Sequence, residues 1–239
     1  MKYQAIVSYD GTQYQGFQSQ TNGISVQDTI EKAYFLMTQS HIKIFGAGRT
    51  DKGVHAKGQV FHFESNLNLD EQSWLRVNDR LPLDIRILKI KKVKEDFHAR
   101  HSAKSKIYQY IIAKKPSTAF TCNYEVYIKN LDIEIIKTVI NDFVGTHDFK
   151  GFCQHVVGKP TIKTIYKAEL KETAKHYIFT FHGNHFLKYM VRSMMGTLIQ
   201  IGLHKKSPDV IKTIIETKNR TLAGKTAEAR GLYLIKIYY

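Results

Sequence analysis

Residues 42–64 read IKIFGAGRTDKGVHAKGQVFHFE, and two strand-like segments in this stretch enclose a glycine-rich turn. The first segment is mostly apolar, and the second alternates in the manner of a strand. The turn carries one carboxylate, Asp51, between the cations Arg49 and Lys52. Nearby positive charge favours the ionised form of a carboxylate, and glycine lets a backbone or a ligand approach closely. The stretch therefore predicts a reactive carboxylate that is presented to a bulky, anionic substrate.

The turn has two other interpretations. An ordinary glycine-rich turn has the same spacing. A nucleotide-binding loop needs G-x-x-x-x-G-K-[ST], or G-x-G-x-x-G before a helix. Gly46 and Gly48 fit the start of the second pattern, but Asp51 stands where the third glycine should be, and a strand follows. Both nucleotide motifs are therefore rejected.

The segments around the turn predict the order strand, helix, strand, strand, helix, strand for the first half of the chain. Ser25 followed by Asp28 forms a weak capping box before the first helix. This order matches the βαββαβ ferredoxin-like plan, in which helices cover one face of an antiparallel sheet. The predicted strands are 3–9, 42–45, 57–64 and 85–93, and the predicted helices are 26–37 and 70–80.

The second half resembles the first loosely. Apolar residues from Phe186 to Ile201 recur every three or four positions, which marks one buried helical stripe. Lys188 and Arg192 lie four apart and are expected on that same helix. The sequence thus predicts an α+β protein with two ferredoxin-like halves, 1–104 and 105–239. The other predicted elements are strands 106–113, 162–170, 176–181 and 231–238, and helices 131–143 and 208–217.

The charge balance points to an anionic partner. The 239 residues include 36 Lys and Arg against 21 Asp and Glu, a net charge of +15. Such a surplus favours nucleic acid first and an anionic membrane surface second, although a generally basic surface accounts for it as well. Cys122 and Cys153 form no disulfide framework, as expected of reduced thiols in a cytoplasmic protein. No membrane span or export signal is expected, since no apolar run approaches ~20 residues.

Other chemistries find little support. Pairs of histidines three residues apart do not complete a zinc ligand set, so no metal site is predicted. Ser–His–Asp hydrolysis lacks its G-x-S-x-G elbow, and Asp51 has no acidic neighbour in its turn for glycosidase chemistry. The basic segment 95–106 is either a solvated hinge or a phosphate-contacting edge. Tyr108 and Tyr110 face the same way on the next strand, as core residues or as a platform for a base.

The turn at 46–56, GAGRTDKGVHA, resembles the active-site motif of the tRNA pseudouridine synthase A family. The resemblance spans essentially the whole chain, and further stretches fall in the family's order. These stretches are 9–18 (YDGTQYQGFQ), 25–28 (SVQD), 96–103 (DFHARHSA), 108–111 (YQYI), 190–196 (MVRSMMG), 227–231 (AEARG) and 231–234 (GLYL).

The resemblance implies roles for five residues. Asp51 is the catalytic carboxylate, and Arg49 beside it helps to displace or hold the target nucleotide. Tyr108 contacts the flipped uracil, Arg192 pairs with the carboxylate, and Leu234 lines the pocket. The resemblance also implies two ferredoxin-like halves around a basic cleft and a homodimer that needs no cofactor. The implied substrates are uridines in the anticodon stem-loop of tRNA.

Some alternatives stay open at this point. Phe17 stands where the family commonly has tryptophan, and segment 75–82 (LRVNDRLP) carries two arginines, which leaves open a paralogue with a shifted or narrower uridine target. A non-catalytic RNA-binding protein on the same fold would keep its activity in an Asp51→Asn variant. An N-glycosidase would release free uracil and leave an abasic site.

Overall fold

The computed structural model describes residues 1–21, 23–154, 158 and 160–239. The strands are β1 (Lys2–Tyr9), β2 (Ile44–Gly46), β3 (His55–Glu64), β4 (Ile85–Val93), β5 (Ser105–Ala113), β6 (Val126–Tyr127), β7 (Gly145–Asp148), β8 (Ile162–Glu172), β9 (His176–Gly183) and β10 (Leu232–Tyr238). The helices are α1 (Val26–Thr38), α2 (Glu71–Leu75), α3 (Ile133–Val139), α4 (Met190–Gly202) and α5 (Val210–Thr217). Short 3-10 helices lie at Arg76–Asp79, Ile140–Phe143, Phe149–Phe152, Arg220–Leu222 and Ala229–Gly231.

The predicted elements are present, with shifted ends, and the α+β class is confirmed. Ser25 caps α1 as expected: its side chain accepts a hydrogen bond from the Asp28 amide. The predicted helices 70–80 and 131–143 each divide into a short α-helix and a 3-10 turn. The prediction that Lys188 and Arg192 share a helix is wrong, because α4 begins at Met190 and the backbone of Tyr189 is left-handed.

The chain divides into two compact units. Unit 1 comprises Met1–Lys104 together with Tyr233–Tyr239, and unit 2 comprises Ser105–Leu232. Most of the closing strand β10 groups with unit 1. Within that unit it pairs in parallel with the start of β3, which sets Tyr233 opposite His55.

Unit 1 is built around one sheet with an aromatic core. β1 lies between β4 and β3, β2 pairs with β3, and all three pairings are antiparallel. Tyr3 and Phe63 face each other across β1 and β3, with ring centroids 5.2 Å apart. Tyr34 of α1 and Trp74 of α2 pack against Phe63 at 5.1 and 5.0 Å. Both helices therefore cover the same face of the sheet.

The strands of unit 2 pair with one another as follows. β9 lies between β5 and β8, and β7 pairs with the outer side of β8, all antiparallel, while β6 pairs with β5 in parallel. Phe143 packs edge-on against Phe152 at 5.3 Å and against Phe181 at 6.2 Å. The predicted apolar stripe is confirmed from Met190 onward, because Met190, Met194, Leu198 and Ile201 are fully buried. Phe186, its predicted first member, lies before α4 and is half-buried.

No helix within the described ranges is long and apolar enough to cross a membrane. The same residues contain no group of three or more His, Cys, Asp or Glu side chains placed to hold a metal ion. Cys122 and Cys153 are both free thiols.

His62 occupies a buried position on the sheet face opposite the helices. Only 4% of its surface is exposed, and its Nδ1 accepts a hydrogen bond from the Ala99 amide at 3.2 Å. The ring of Phe45, its partner across β2 and β3, stacks on it at 5.1 Å. Burial, with help from His98 and Lys2, lowers the pKa of His62 to about 4. The ring is therefore neutral near pH 7.

This shift gives unit 1 a pH-dependent stability. Between the unfolded pKa of ~6.5 and the folded value, the unfolded chain binds more protons, so stability falls as the pH is lowered through that window. The His62→Asn variant keeps an acceptor for the Ala99 amide but does not titrate. We expect the stability advantage of the wild type over the variant to shrink by on the order of 1–2 kcal/mol between pH 7.5 and pH 5.

Urea unfolding at the two pH values measures the difference. If the stability advantage of the wild type over His62→Asn is the same at pH 7.5 and pH 5, protonation of His62 is not coupled to folding.

Candidate active site

The turn that carries Asp51 joins β2 to β3 and is closed by a hydrogen bond from the Val54 amide to the Asp51 carbonyl at 3.1 Å. Gly53 takes a left-handed backbone with φ of 76°, a conformation that glycine adopts without steric penalty. Asp51 is half-buried, whereas Arg49 and Lys52 are exposed. The turn thus presents one carboxylate at the surface with a cation two residues before it and another directly after it.

The base of the turn is fixed by hydrogen bonds from the strands below it. The hydroxyls of Tyr9 and Thr50 lie 2.8 Å apart in a buried pair, and Gln59 Nε2 donates to the Gly48 carbonyl at 3.0 Å. Burial raises the pKa of Tyr9 well above its usual value, so its hydroxyl stays neutral. Buried polar groups that are fully paired make a rigid support. The backbone on both sides of Arg49 is therefore held before substrate arrives.

The loop segment 10–21 after β1 lies directly against this turn. The Phe17 amide donates to the Thr50 carbonyl at 3.3 Å, and the Gly53 amide donates to the Tyr14 carbonyl at 3.4 Å. Gly16 has a φ of 107°, and a Cβ there would lie 2.5 Å from the Thr50 carbonyl oxygen. The close approach of the two backbones requires glycine at this position.

His55, the last histidine of the motif, ties the same loop to β10. It is 2% exposed, and its Nδ1 lies 3.1 Å from the Gly11 amide, which donates to it, and 3.1 Å from Asp10 Oδ1. Its ring stacks on Tyr233 at 4.7 Å with an interplanar angle of 24°. One buried imidazole thereby contacts the end of β1 and the start of β10.

Leu234 is the other predicted site residue of unit 1. It is 1% exposed and lies opposite Ala56, the last residue of the motif, in the parallel pairing of β10 with β3. The structure therefore brings Leu234 to the strand that leaves the Asp51 turn, although the two are far apart in sequence.

Arg192 lies in the first turn of α4, in unit 2, and its side chain is held in place. Nε donates to the Ala227 carbonyl at 2.7 Å, and the guanidinium carbon lies 5.2 Å from the centroid of the Tyr189 ring. The Ala227 amide in turn donates to the Arg192 carbonyl at 3.0 Å. Tyr189 has a left-handed backbone with φ of 63°, which is uncommon for a residue with a bulky side chain.

Tyr108, the remaining predicted residue, lies on β5 of unit 2. It is 9% exposed, and its ring meets the edge of Phe186 at 5.0 Å. Tyr110 is fully buried, and its hydroxyl donates to the Glu228 carbonyl at 2.9 Å. The prediction that the two tyrosines face the same way is confirmed by their common burial along the strand.

Several supporting residues were missed by the sequence analysis. Tyr9, Thr50 and Gln59 form the buried base of the turn, and an alternating strand pattern gives no sign that a hydroxyl or an amide will be paired there. Gly16 did carry a signal, since a glycine in a polar, aromatic loop often marks a close backbone approach. The sequence gives no signal for the role of Tyr189, because a tyrosine before an apolar helix has the pattern of an ordinary core residue.

Comparison with known proteins assigns the chain to a family. A family model described as tRNA pseudouridine synthase matches residues 5–102 and 139–239. This chain belongs to the tRNA pseudouridine synthase family. The predictions of that family, and of an isomerase, are therefore confirmed.

Relatives in this family match the chain from end to end. A tRNA pseudouridine synthase A of Aster yellows witches'-broom phytoplasma is 43% identical over 241 residues, which covers 99% of this chain and 98% of the relative. One from Streptococcus uberis is 42% identical over 245 residues, covering 100% and 98%. A tRNA pseudouridine synthase A 1 of Bacillus cereus is 42% identical over 238 residues, covering 98% and 96%.

Among solved structures, a Cbf5–Nop10–Gar1 complex aligns with 82% of this chain and 53% of that one. The sequence identity is 9% and the TM-score is 0.35, so this likeness carries no argument here.

The close approach of loop and turn gives a test in this family member. The Gly16→Ala variant places a Cβ against the Thr50 carbonyl and strains a left-handed backbone. We expect a loss of stability of about 1–3 kcal/mol and a fall in kcat of roughly tenfold or more, since small displacements of a reacting group slow chemistry strongly.

The Gly145→Ala variant is the matched control. Gly145 has a φ of 123°, so a substitution there strains the backbone as it does at Gly16, but its Cβ would meet only the movable His147 ring, at 2.7 Å from Nε2, and it lies outside the turn. It should lose stability and keep kcat. Equal kcat values in the two variants, measured well below their melting temperatures, would contradict the role given to the Gly16 contact.

Proposed function

We propose that this chain isomerises uridine to pseudouridine in the anticodon stem-loop of tRNA, with Asp51 as the catalytic carboxylate. Family membership supports the reaction, and the relatives' printed descriptions name tRNA. The observation that carries the assignment of Asp51 is the turn itself. One half-buried carboxylate stands between two exposed cations on a backbone held by buried hydrogen bonds.

The reaction breaks the bond between uracil N1 and ribose C1′, rotates the base, and joins C5 to C1′. The proton on C5 leaves to solvent and N1 gains one, so the product is an isomer of the substrate. The base must first leave its stack, which costs a few kcal/mol, and contacts with cations and an aromatic ring can offset this. Asp51 can serve by attacking the sugar, attacking the base, or removing a ribose proton.

The other residues act by binding. Arg49 is exposed two positions before Asp51 and is suited to hold or displace the target nucleotide. Leu234 is an apolar side chain next to the end of the motif, suited to line a pocket. For Tyr108 and Arg192 we propose the roles that the resemblance implies, contact with the flipped uracil and pairing with the carboxylate. The Ala227 carbonyl and the Tyr189 ring hold the guanidinium of Arg192 in one orientation, which lowers the entropy that ordering it would lose.

The same proposal includes the arrangement of the fold, the oligomeric state and the location in the cell. We propose two ferredoxin-like halves around a basic cleft. In support, unit 1 follows the βαββαβ order, and the second half of the chain contains the same succession, β5, α3, β8, β9, α4 and β10, with β6, β7 and α5 as additional elements. We also propose a homodimer in the cytoplasm, which rests on the resemblance and on a tRNA substrate. A paralogue with a shifted or narrower uridine target is the alternative for specificity.

The decisive experiment uses tRNA that carries C5-tritiated uridine. The wild-type protein should release tritium in step with pseudouridine formation. The Asp51→Asn variant should lose turnover by roughly 10³-fold or more, the range expected when a reacting group is removed, while it still binds tRNA. Asp209→Asn is the matched control, because Asp209 is exposed at the start of α5 and its side chain makes no capping bond.

Each alternative gives a different result. A non-catalytic RNA-binding protein releases no tritium with any tRNA of a panel, and its binding is unaffected by Asp51→Asn. An N-glycosidase releases free uracil and leaves an abasic site, which mass spectrometry detects. Either result would overturn the proposal.

A further inference from the structure

A row of rings in contact lies on unit 1, on the sheet face opposite α1 and α2. Phe45 stacks on His62 with centroids 5.1 Å apart, His62 contacts His98 at 4.6 Å, and His98 contacts His101 at 4.3 Å. Phe45 and His62 alternate with core residues such as Phe63, so they point away from the aromatic core. We call Phe45, His62, His98 and His101 the ring stripe.

Hydrogen bonds to backbone groups and to Ser102 hold part of the ring stripe in place. His62 Nδ1 accepts from the Ala99 amide at 3.2 Å, and His98 Nδ1 accepts from the Arg100 amide at 3.1 Å. The His98 amide donates to Ser102 Oγ at 3.0 Å. Because His62 and His98 are held by backbone groups, and Phe45 stacks on His62, little conformational entropy would be lost when a ligand stacks on the stripe.

The outer parts of the stripe are open to solvent and flanked by cations. Phe45 is 43% exposed and His101 is exposed, whereas His62 is buried beneath them. Lys43 Nζ lies over the Phe45 ring, 5.7 Å from its centroid, so a base that stacks there takes the place of this ammonium and leaves it to meet a phosphate. Arg100 is exposed beside His101. The pKa values of His62 and His98 are both lowered, chiefly by burial, so these rings are neutral, flat surfaces near pH 7. The charge comes instead from lysine and arginine.

The chemistry of the stripe favours RNA over a metal ion. The Nδ1 atoms of His62 and His98 already accept amide hydrogens, so these lone pairs are engaged. Exposed aromatic rings beside cations are the usual platform for unpaired bases, with rings that stack and cations that meet phosphates. The net charge of +15 suits the same partner.

We propose that the ring stripe, with Lys43 and Arg100, is a second RNA-contact surface, on which an unpaired base of the substrate stacks on Phe45 while nearby phosphates meet the two cations. This inference rests on the proposed function, because it takes the substrate to be tRNA. Phe45 and Asp51 are six residues apart, so their Cα atoms are at most about 20 Å apart. One RNA molecule can therefore reach both.

The test compares tRNA binding and turnover in four variants. Phe45→Ala should raise Kd and KM for tRNA by about tenfold, within the range for one base–aromatic stack, and leave kcat unchanged. Phe45→Trp restores a ring and should bind like the wild type. Arg100→Gln should lower the slope of log Kd against log salt by about 1. Phe120→Ala, an exposed phenylalanine of unit 2, is the control and should change nothing.

The outcomes separate this inference from the proposed function. If the wild type releases tritium and Phe45→Ala has an unchanged KM, the RNA-contact role of the ring stripe is overturned, but the proposed isomerase activity is not. A fall in kcat at constant KM, or a change in oligomeric mass by light scattering, overturns it too. If Phe45→Ala fails to fold, the double variant Lys43→Gln, Arg100→Gln is used instead, because both side chains are exposed. An unchanged slope of log Kd against log salt in this double variant overturns the proposal. Absence of tritium release by the wild type means that the proposed function has failed.

Discussion

The contact between two backbones, the loop segment 10–21 and the turn 47–54, is the constraint on which the unit 1 site depends. The Thr50 carbonyl accepts from the Phe17 amide, and Gly16 leaves no space between them for a side chain. Backbone groups have no rotamers to choose, so such a contact fixes geometry more firmly than a pair of flexible side chains would. The backbone that carries Asp51 is fixed by this contact, because the Thr50 carbonyl directly precedes Asp51.

The two faces of the unit 1 sheet have different chemistry. One face carries Tyr3 and Phe63, which the helices cover with further aromatic rings. The other carries Phe45 and His62, covered only in part by the segment around His98. The strands β2 and β3 contribute to both faces and also enclose the Asp51 turn. A single hairpin therefore links core packing, the catalytic turn and an exposed aromatic surface.

Much of the fold was accessible from sequence because its signals are local. Apolar spacing marked α4, and the Ser25 cap marked the start of α1. The placement of β10 with unit 1 was not accessible, because a parallel pairing between distant segments leaves no local pattern. At the site, Asp51 and Arg49 came from the motif and the resemblance. The Tyr9–Thr50 hydrogen bond and the left-handed Tyr189 depend on tertiary contacts, which no spacing encodes.

The most direct test of the account replaces Asp51 inside the cell. Pseudouridine would be mapped in tRNA from three strains, which carry the wild-type chain, no chain, or Asp51→Asn at equal abundance. The account predicts that the deletion and Asp51→Asn strains lose pseudouridine at the same anticodon stem-loop positions, while other positions are unchanged. Retention of these pseudouridines in the Asp51→Asn strain, with loss in the deletion strain, would contradict it.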